Sequence, residues 1–326
     1  MWNKFCSSAV LICGVITGLH AGPAAAAYPD KPIRMIVAFP PGGSADILAR
    51  LVADQMSKDL GEPIIVENKA GAAGNIGGDF VARAKPDGYT LLLASAGPTV
   101  INPSLYSKMP YRPSVDLAPV SLLVRDHNLM VVNASVPAKT LKEFVDYAKK
   151  SKPQQLTFGS PGTGTPAHLA GELLNQRAGT NMLHVPYKGT GPAISDLLAG
   201  HITMMIDNMA PLMPYVQSGQ LRALAVASEK RVESLPKVPT ATEAGVDGYV
   251  VTAWKGLMVP AGTPEPIVAK LHGAAVKALS LPKIKKRLTE LGAEPVGSTP
   301  QQFGEQIRTD TEWWAALIKS TGTKLD

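Results

Sequence analysis

The feature that most restricts how this chain can fold is a repeated unit. It consists of an apolar run, a corner rich in small residues, and then apolar positions at helical spacing. "IRMIVAF" (33–39), "IIVEN" (64–68) and "TLLLAS" (90–95) have the length and composition of buried strands. Between the first two, Ile47, Leu48, Leu51, Val52 and Met56 fall on one helical stripe. Between the second and third, Ile76, Phe80, Val81 and Ala84 do the same, and "PDG" (86–88) ends that helix in a turn. Such alternation predicts an α/β fold, a parallel sheet with helices on both faces.

A second set of the same units follows "NLMVVN" (128–133). It comprises a helix over 141–149, "LTFGS" (156–160), a helix from about Ala167, and "MLHVPY" (182–187). A helix over 193–198, "ITMMID" (202–207) and "LRALAVAS" (221–228) complete it. "VTAWKGLMVP" (251–260) then leads into two final helices, 267–279 and 300–320, with no strand between them long enough to begin a third sheet. These helices are expected to return to the first unit. The division is therefore lobe 1, residues 28–123 plus 255–326, and lobe 2, residues 124–254. Two crossings, near 123 and 255, form a hinge, and a cleft between lobes is where small ligands bind.

Residues 1–27 stand apart. Lys4 is their one charge, Ala9 to Leu19 is an apolar stretch too short to span a bilayer, and Ala25-x-Ala27 offers a small-residue cleavage site before Tyr28. This is the layout of a secretory signal, so export is expected. Both cysteines, Cys6 and Cys13, lie in that segment. The remaining chain is therefore not built on disulfides, thiolate metal sites or a thiol nucleophile. The formal net charge of +6 suits anionic small molecules. No Lys/Arg run exceeds three residues and aromatics are few, which argues against a nucleic-acid partner.

Chemistry concentrates at the corners. In "FPPGGSAD" (39–46) the prolines fix φ and remove N–H groups, and the glycines admit close approach of a ligand. Ser44 is placed as N-cap of the following helix, whose unpaired N–H groups and dipole form an anion site, with Asp46 in the first turn. A tight connection without a ligand fits these residues equally well. The second corner, "TFGSPGTGTPAHLAGELL" (157–174), has the same grammar, with Thr165 as N-cap and Pro166 at the first helical position. A third, "VPYKGTGPAISDLLAG" (185–200), repeats it with Pro192 near the helix start. Helix N-termini supplied by two lobes suit a ligand with carboxylates at both ends. Asp207 and Asn208 end an apolar strand, where parallel sheets present residues to ligands. Trp254 fits a cleft wall or a core position. In "GAAGNIGG" (71–78) three glycines at three-residue spacing, Gly71, Gly74 and Gly77, suit a close-packed turn.

Catalytic grammars are absent. Gly162-x-Gly164-x-x-Ala167 lacks the acidic residue a dinucleotide site needs on the next strand. Ser160 is not in a nucleophile elbow, the histidines show no metal spacing, and His168 with Glu172 reads as an i,i+4 structural pair. No cofactor and no metal are expected.

At the level of motifs, "YPDKPIRMIVAFPPGGSADILAR", "VENKAGAAGNIG", "PDGYTLLLAS", "GSPGTGTPAHLAGELL", "HVPYKGTGPAISDLLAGHI" and "LPKVPTATEAGVDGY" resemble, in order, the Bug-type receptors of tripartite tricarboxylate transporters. The resemblance runs from about Tyr28 to the C-terminus. It implies a periplasmic binding protein of type II, a two-lobed Venus flytrap that closes on a small carboxylate, acts as a monomer and delivers its cargo to a membrane permease. It implies ligand contacts from Pro41, Gly42, Gly43, Ser44 and Asp46 in the first corner, and from Ser95 after the third strand. In the second lobe it implies Ser160, Gly162, Thr163, Gly164, Thr165 and Asp207. One departure is Thr203 in "GHITMMID", where the family often carries an acid, leaving Asp207 as the strand's one carboxylate. Two other readings remain: a sensory protein presenting its ligand to a membrane kinase, and an exported hydrolase using Ser160 or Asp46 with a histidine nearby in space.

Overall fold

The computed structural model describes residues 1–2 and 28–323, so residues 3–27 of the segment read as an export signal lie outside the described residues. The first lobe opens with β1 (Ile33–Val37), α1 (Ser44–Leu60), β2 (Ile64–Asn68), α2 (Asn75–Ala82) and β3 (Thr90–Ser95). A helical turn over Gly97–Ile101 and two single-turn helices, α3 (Asn102–Leu105) and α4 (Pro113–Asp116), lead into β4 (Leu117–Asn133). The second lobe contains α5 (Leu141–Lys150), β5 (Thr157–Ser160), α6 (Pro166–Ala178), β6 (Leu183–Pro186), α7 (Thr190–Ala199), β7 (Met204–Asn208), α8 (Met209–Gln217) and β8 (Leu221–Val226). The chain returns through β9 (Thr252–Pro260) and ends in α9 (Glu265–Ser280), α10 (Pro282–Glu290), β10 (Ala293–Pro295) and α11 (Pro300–Thr321).

The strands form one continuous path, β2-β1-β3-β9-β4-β7-β5-β6, with β8 and β10 both paired to β4. β1, β2 and β3 are parallel, as are β5, β6 and β7, in keeping with the alternation of the sequence. The sheet is nevertheless mixed. β9 runs antiparallel to both β3 and β4, and β4 runs antiparallel to β7 and β8. The reason is topological: a chain that leaves one lobe along β4 must come back along β9 in the opposite direction. β4 is the 17-residue spine of the molecule. It pairs with β9 from Leu117 to His127 and with β7 and β8 from Asn128 or Leu129 onward. The fold is thus two α/β lobes sharing two strands.

Helix faces follow the apolar stripes. α1 buries Leu48, Val52 and Met56 against a core formed by β1, β3 and α9. Burial of each such side chain stabilises by about 1.5–3 kcal/mol, an upper range set by an extended unfolded chain. In α2 the stripe is displaced. Ile76 is exposed, and Gly77, Gly78 and Val81 face inward. A Cβ at Gly78 would lie 2.1 Å from the Tyr111 hydroxyl, so glycine lets this helix pack closer than the stripe predicted. The C-terminal helices return to lobe 1: α9 packs on α1 and β4, and α10 on α9 and β10. α11 packs on β4 and the 97–101 turn, and also reaches α6 of lobe 2. No helix among the described residues is long and apolar enough to cross a membrane.

Candidate functional site

Between the lobes lies a cavity of about 60 Å³ on which helix N-termini converge. Lobe 1 contributes Gly43, Ser44 and Ala45 at the start of α1, with Ser95 and Ala96 after β3. Lobe 2 contributes Thr165 to Ala167 at the start of α6, Gly189 and Thr190 at the start of α7, and Asp207 and Asn208 just before α8. The floor is built by the two shared strands through Asn128, Ala253, Trp254 and Lys255. Four helix N-termini border this one small volume, and each presents unpaired N–H groups and positive partial charge, which favours an anion there.

The lobes touch across this cavity. Asn208 Nδ2 donates to Ser44 Oγ over 3.0 Å. This displaces Ser44 from the expected N-cap role. Gly43 is the N-cap of α1 and makes no side-chain cap bond, and Ser44, one residue in, spends its hydroxyl on the opposite lobe. The α6 start matches the sequence pattern: Thr165 accepts from His168 N over 3.3 Å and Pro166 follows it. α7 begins at Thr190, three residues earlier than expected, with Pro192 still inside its first turn.

The candidate residues divide by position. Gly43, Ser44, Ser95, Thr165 and Asp207 line the cavity. Pro41 and Gly42 are exposed on the outer side of the corner. Asp46 is buried behind it. It accepts from Gly42 N (3.1 Å), Arg50 Nη2 (2.9 Å) and Asn68 Nδ2 (3.0 Å), and Asn68 also donates to Phe39 O (3.0 Å). Burial works to raise its pKa, but the bonds from Arg50, Gly42 and Asn68 outweigh that and hold the carboxylate below its ordinary range. Asp46 is the clamp of the 39–46 corner.

Ser160, Gly162 and Gly164 play the same part in lobe 2, with Thr163 half-buried on the same loop. Gly162 O accepts from Thr165 Oγ1 at 2.7 Å, and Gly164 N donates to His168 Nδ1 at 3.3 Å. Gly164 has φ +82°, and a Cβ there would lie 2.6 Å from Asn102 Oδ1 of lobe 1, so only glycine fits this close interlobe approach. Ser160 Oγ lies 2.7 Å from His184 Nε2, the neighbour that the hydrolase reading required. Ser160 is, however, fully buried and does not line the cavity, and its hydroxyl also engages Gly162. A nucleophile without access to the cleft cannot attack a ligand in it. His184 stacks on His168 at 3.9 Å, and burial pushes His168 down to about 4 and His184 to about 3. Both rings are therefore neutral wedges behind the loop.

Asp207 is the acid in the cavity wall. Thr190 Oγ1 donates to its Oδ2 (2.9 Å) and Asn208 N to its Oδ1 (2.8 Å). Burial pushes it up to about 6 despite these bonds and the charge of Lys255. Trp254 is both cleft wall and core: its Nε1 donates to Asp310 (2.6 Å) and its ring meets Phe303 edge-on at 5.2 Å. The sequence reading passed over Lys255, which is buried, lines the floor and is paired with Asp126. The available signal was a lysine within the otherwise apolar run "VTAWKGLMVP". No group of three or more His, Cys, Asp or Glu side chains poised for a metal occurs among the described residues.

Comparison with known proteins places this arrangement. The family model described as tripartite tricarboxylate transporter family receptor matches residues 48–323. The structure of the periplasmic binding protein BugD is 38% identical and superposes with a TM-score of 0.87, covering 91% of this chain and 99% of that one. Rpa4515 of R. palustris, solved with adipate, is 34% identical with a TM-score of 0.88 over 90% of this chain and 98% of its own. MatC from Rhodopseudomonas palustris, solved with bound malate, is 36% identical with a TM-score of 0.84 over 89% and 100%.

Proposed function

Since the chain belongs to the tripartite tricarboxylate transporter receptor family, whose members are binding receptors and not enzymes, we propose that it captures a small organic carboxylate in the periplasm and delivers it to a membrane permease. The observation that carries this reading is the convergence of the α1, α6, α7 and α8 N-termini on one interlobe cavity. The adipate and malate held by two relatives support the choice of a carboxylate. In this proposal Gly43, Ser44, Ser95, Thr165 and Asp207 contact the ligand, and Thr190 and Asn208 join them. Pro41, Gly42, Asp46, Ser160, Gly162, Thr163 and Gly164 shape the two corners that present those contacts. Affinity arises from closure: a ligand touching both lobes favours the closed population by the difference in its contacts with the two states.

The test is a thermal-shift and calorimetric screen of residues 28–326, freed of co-purified ligand by unfolding and refolding, against mono-, di- and tricarboxylates, acidic amino acids and aromatic acids. A saturable stabilisation is expected, about 2.7 kcal/mol at a hundredfold excess over Kd. No response to any carboxylate by a correctly refolded protein would overturn the proposal. Co-purification of the ligand-bound form with permease subunits, and not with a membrane kinase, tests the delivery step.

A further inference from the structure

Two formally charged side chains line the interlobe cavity, Asp207 and Lys255. Lys255 lies on β9 opposite Val124, and Asp126 lies two residues further along β4 opposite Ala253. The two therefore occupy diagonal positions on one face of the shared strand pair, within reach of each other. Lys255 Nζ donates to Asp126 Oδ2, its one hydrogen-bond partner among the described residues. An ammonium has three donors. Buried at 2% exposure, Lys255 therefore carries donors that Asp126 does not fill, and these are left to whatever occupies the cavity it lines, a ligand or water. Its charge is also felt at Asp207, where it opposes protonation.

We propose that Lys255 is the specificity-determining residue of the cleft: its spare donors take a second anionic group on the ligand, so the protein selects a short dicarboxylate over the matching monocarboxylate. This rests on the receptor reading above. The helix N-termini hold the first carboxylate at the rim, and Lys255 holds the second at the floor. Asp126 fixes the ammonium in place and keeps the empty floor from carrying a net positive charge. The small cavity volume limits the length of acid that can bridge the two ends. Asp207 would repel a second carboxylate while ionised; burial raises its proton affinity, and in its protonated form it donates to the ligand and does not repel it.

The experiment uses matched acid pairs, succinate with butyrate and adipate with hexanoate, titrated calorimetrically into the wild-type protein and into a doubly neutral variant, Asp126→Asn with Lys255→Met. The double change avoids leaving Asp126 as an unpaired buried charge. The wild-type protein is expected to bind at least one dicarboxylate about tenfold or more tighter than its partner. The variant is expected to lose that preference and keep its affinity for the monocarboxylate. An unchanged preference, or equal losses for both acids in a folded variant, overturns the proposal. In the wild-type protein with nitrogen-labelled lysine, the Lys255 ammonium resonance is expected to move with the dicarboxylate and not with the monocarboxylate. A resonance that stays still while the dicarboxylate is bound overturns it without any variant. A wild-type protein that binds carboxylates with no preference sinks this inference alone, whereas one that binds none sinks the receptor reading beneath it.

Discussion

Replacing Asp207 by asparagine converts the buried acid of the cleft into a neutral group and makes its cost measurable. The carboxyl is held up to about 6 in the folded protein, against an ordinary value of 3.8. Between those values the folded chain holds a proton that the unfolded chain has released. Stability from this group is therefore full below the unfolded value and declines as pH rises, with the loss complete above the folded value. At 1.36 kcal/mol per pKa unit, the loss is about 3 kcal/mol. His168 and His184 are held low, so they act in the opposite sense: their contribution is present above the unfolded histidine value and is lost as pH falls. Subtracting the Asp207→Asn profile from the wild-type profile cancels the histidines and leaves Asp207. The assay is urea unfolding of the ligand-free protein between about pH 4 and pH 7, with the free energy extrapolated to water. The wild-type protein is expected to lose about 2–2.5 kcal/mol more than the variant across that interval, the rest of the loss falling below pH 4. Parallel profiles would refute the claim that Asp207 is buried without adequate compensation. The link to function comes from the same sign. A carboxylate bound beside Asp207 raises its proton affinity further, so binding takes up protons, which calorimetry in buffers of different ionisation enthalpy reads directly.

Three other changes probe the walls. Asp46→Ala removes a carboxylate that clamps Gly42, Arg50 and Asn68, and is expected to cost about 2–3 kcal/mol of stability. It should also weaken ligand binding tenfold or more through loss of the corner, as paired thermal and calorimetric measurements on the folded variant would record. Asn208→Ala deletes the interlobe bond to Ser44, worth about 1 kcal/mol, and should raise the radius of gyration of the ligand-free protein in small-angle scattering; an unchanged radius removes this bond from the closing equilibrium. Gly164→Ala forces a Cβ toward Asn102 at a positive φ and is expected to cost about 1–3 kcal/mol in thermal unfolding and to weaken binding with it. Unaltered binding would show that the lobes close without the approach of the 160–165 loop to α3.

The parts of this molecule that were legible in the sequence are those written locally. A strand, its corner and the following helix occupy about 25 consecutive residues, so periodicity and capping residues expose them directly, as at Thr165 and Pro166. Even there, Ser44 reads as a cap because nothing local reveals that Asn208, 164 residues away, will claim its hydroxyl. Asp46 stands beside the glycines in the sequence but behind them in space, since the turn of α1 that carries it faces Arg50 and Asn68. The antiparallel return of β9 was likewise hidden, because strand direction depends on where the chain must re-enter a lobe and not on the composition of the strand.

The cleft floor was hidden for the same reason, and its position bears on selectivity. Asp126 and Lys255 are separated by 129 residues and meet because the chain passes between the lobes twice, along neighbouring strands. In the receptor reading proposed above, the corners at the rim, with backbone N–H groups and short hydroxyls, recognise the end that all carboxylates share. The floor is made of side chains on strands that any fold of this type must have, so its charges can change without disturbing the corners. A fold that keeps its rim and alters its floor can hold one capture mechanism across many acids. In this chain the charged element of the floor is a lysine fixed by an aspartate. On the proposal above, selectivity rests on a pair of residues whose proximity comes from the same two crossings that let the lobes close.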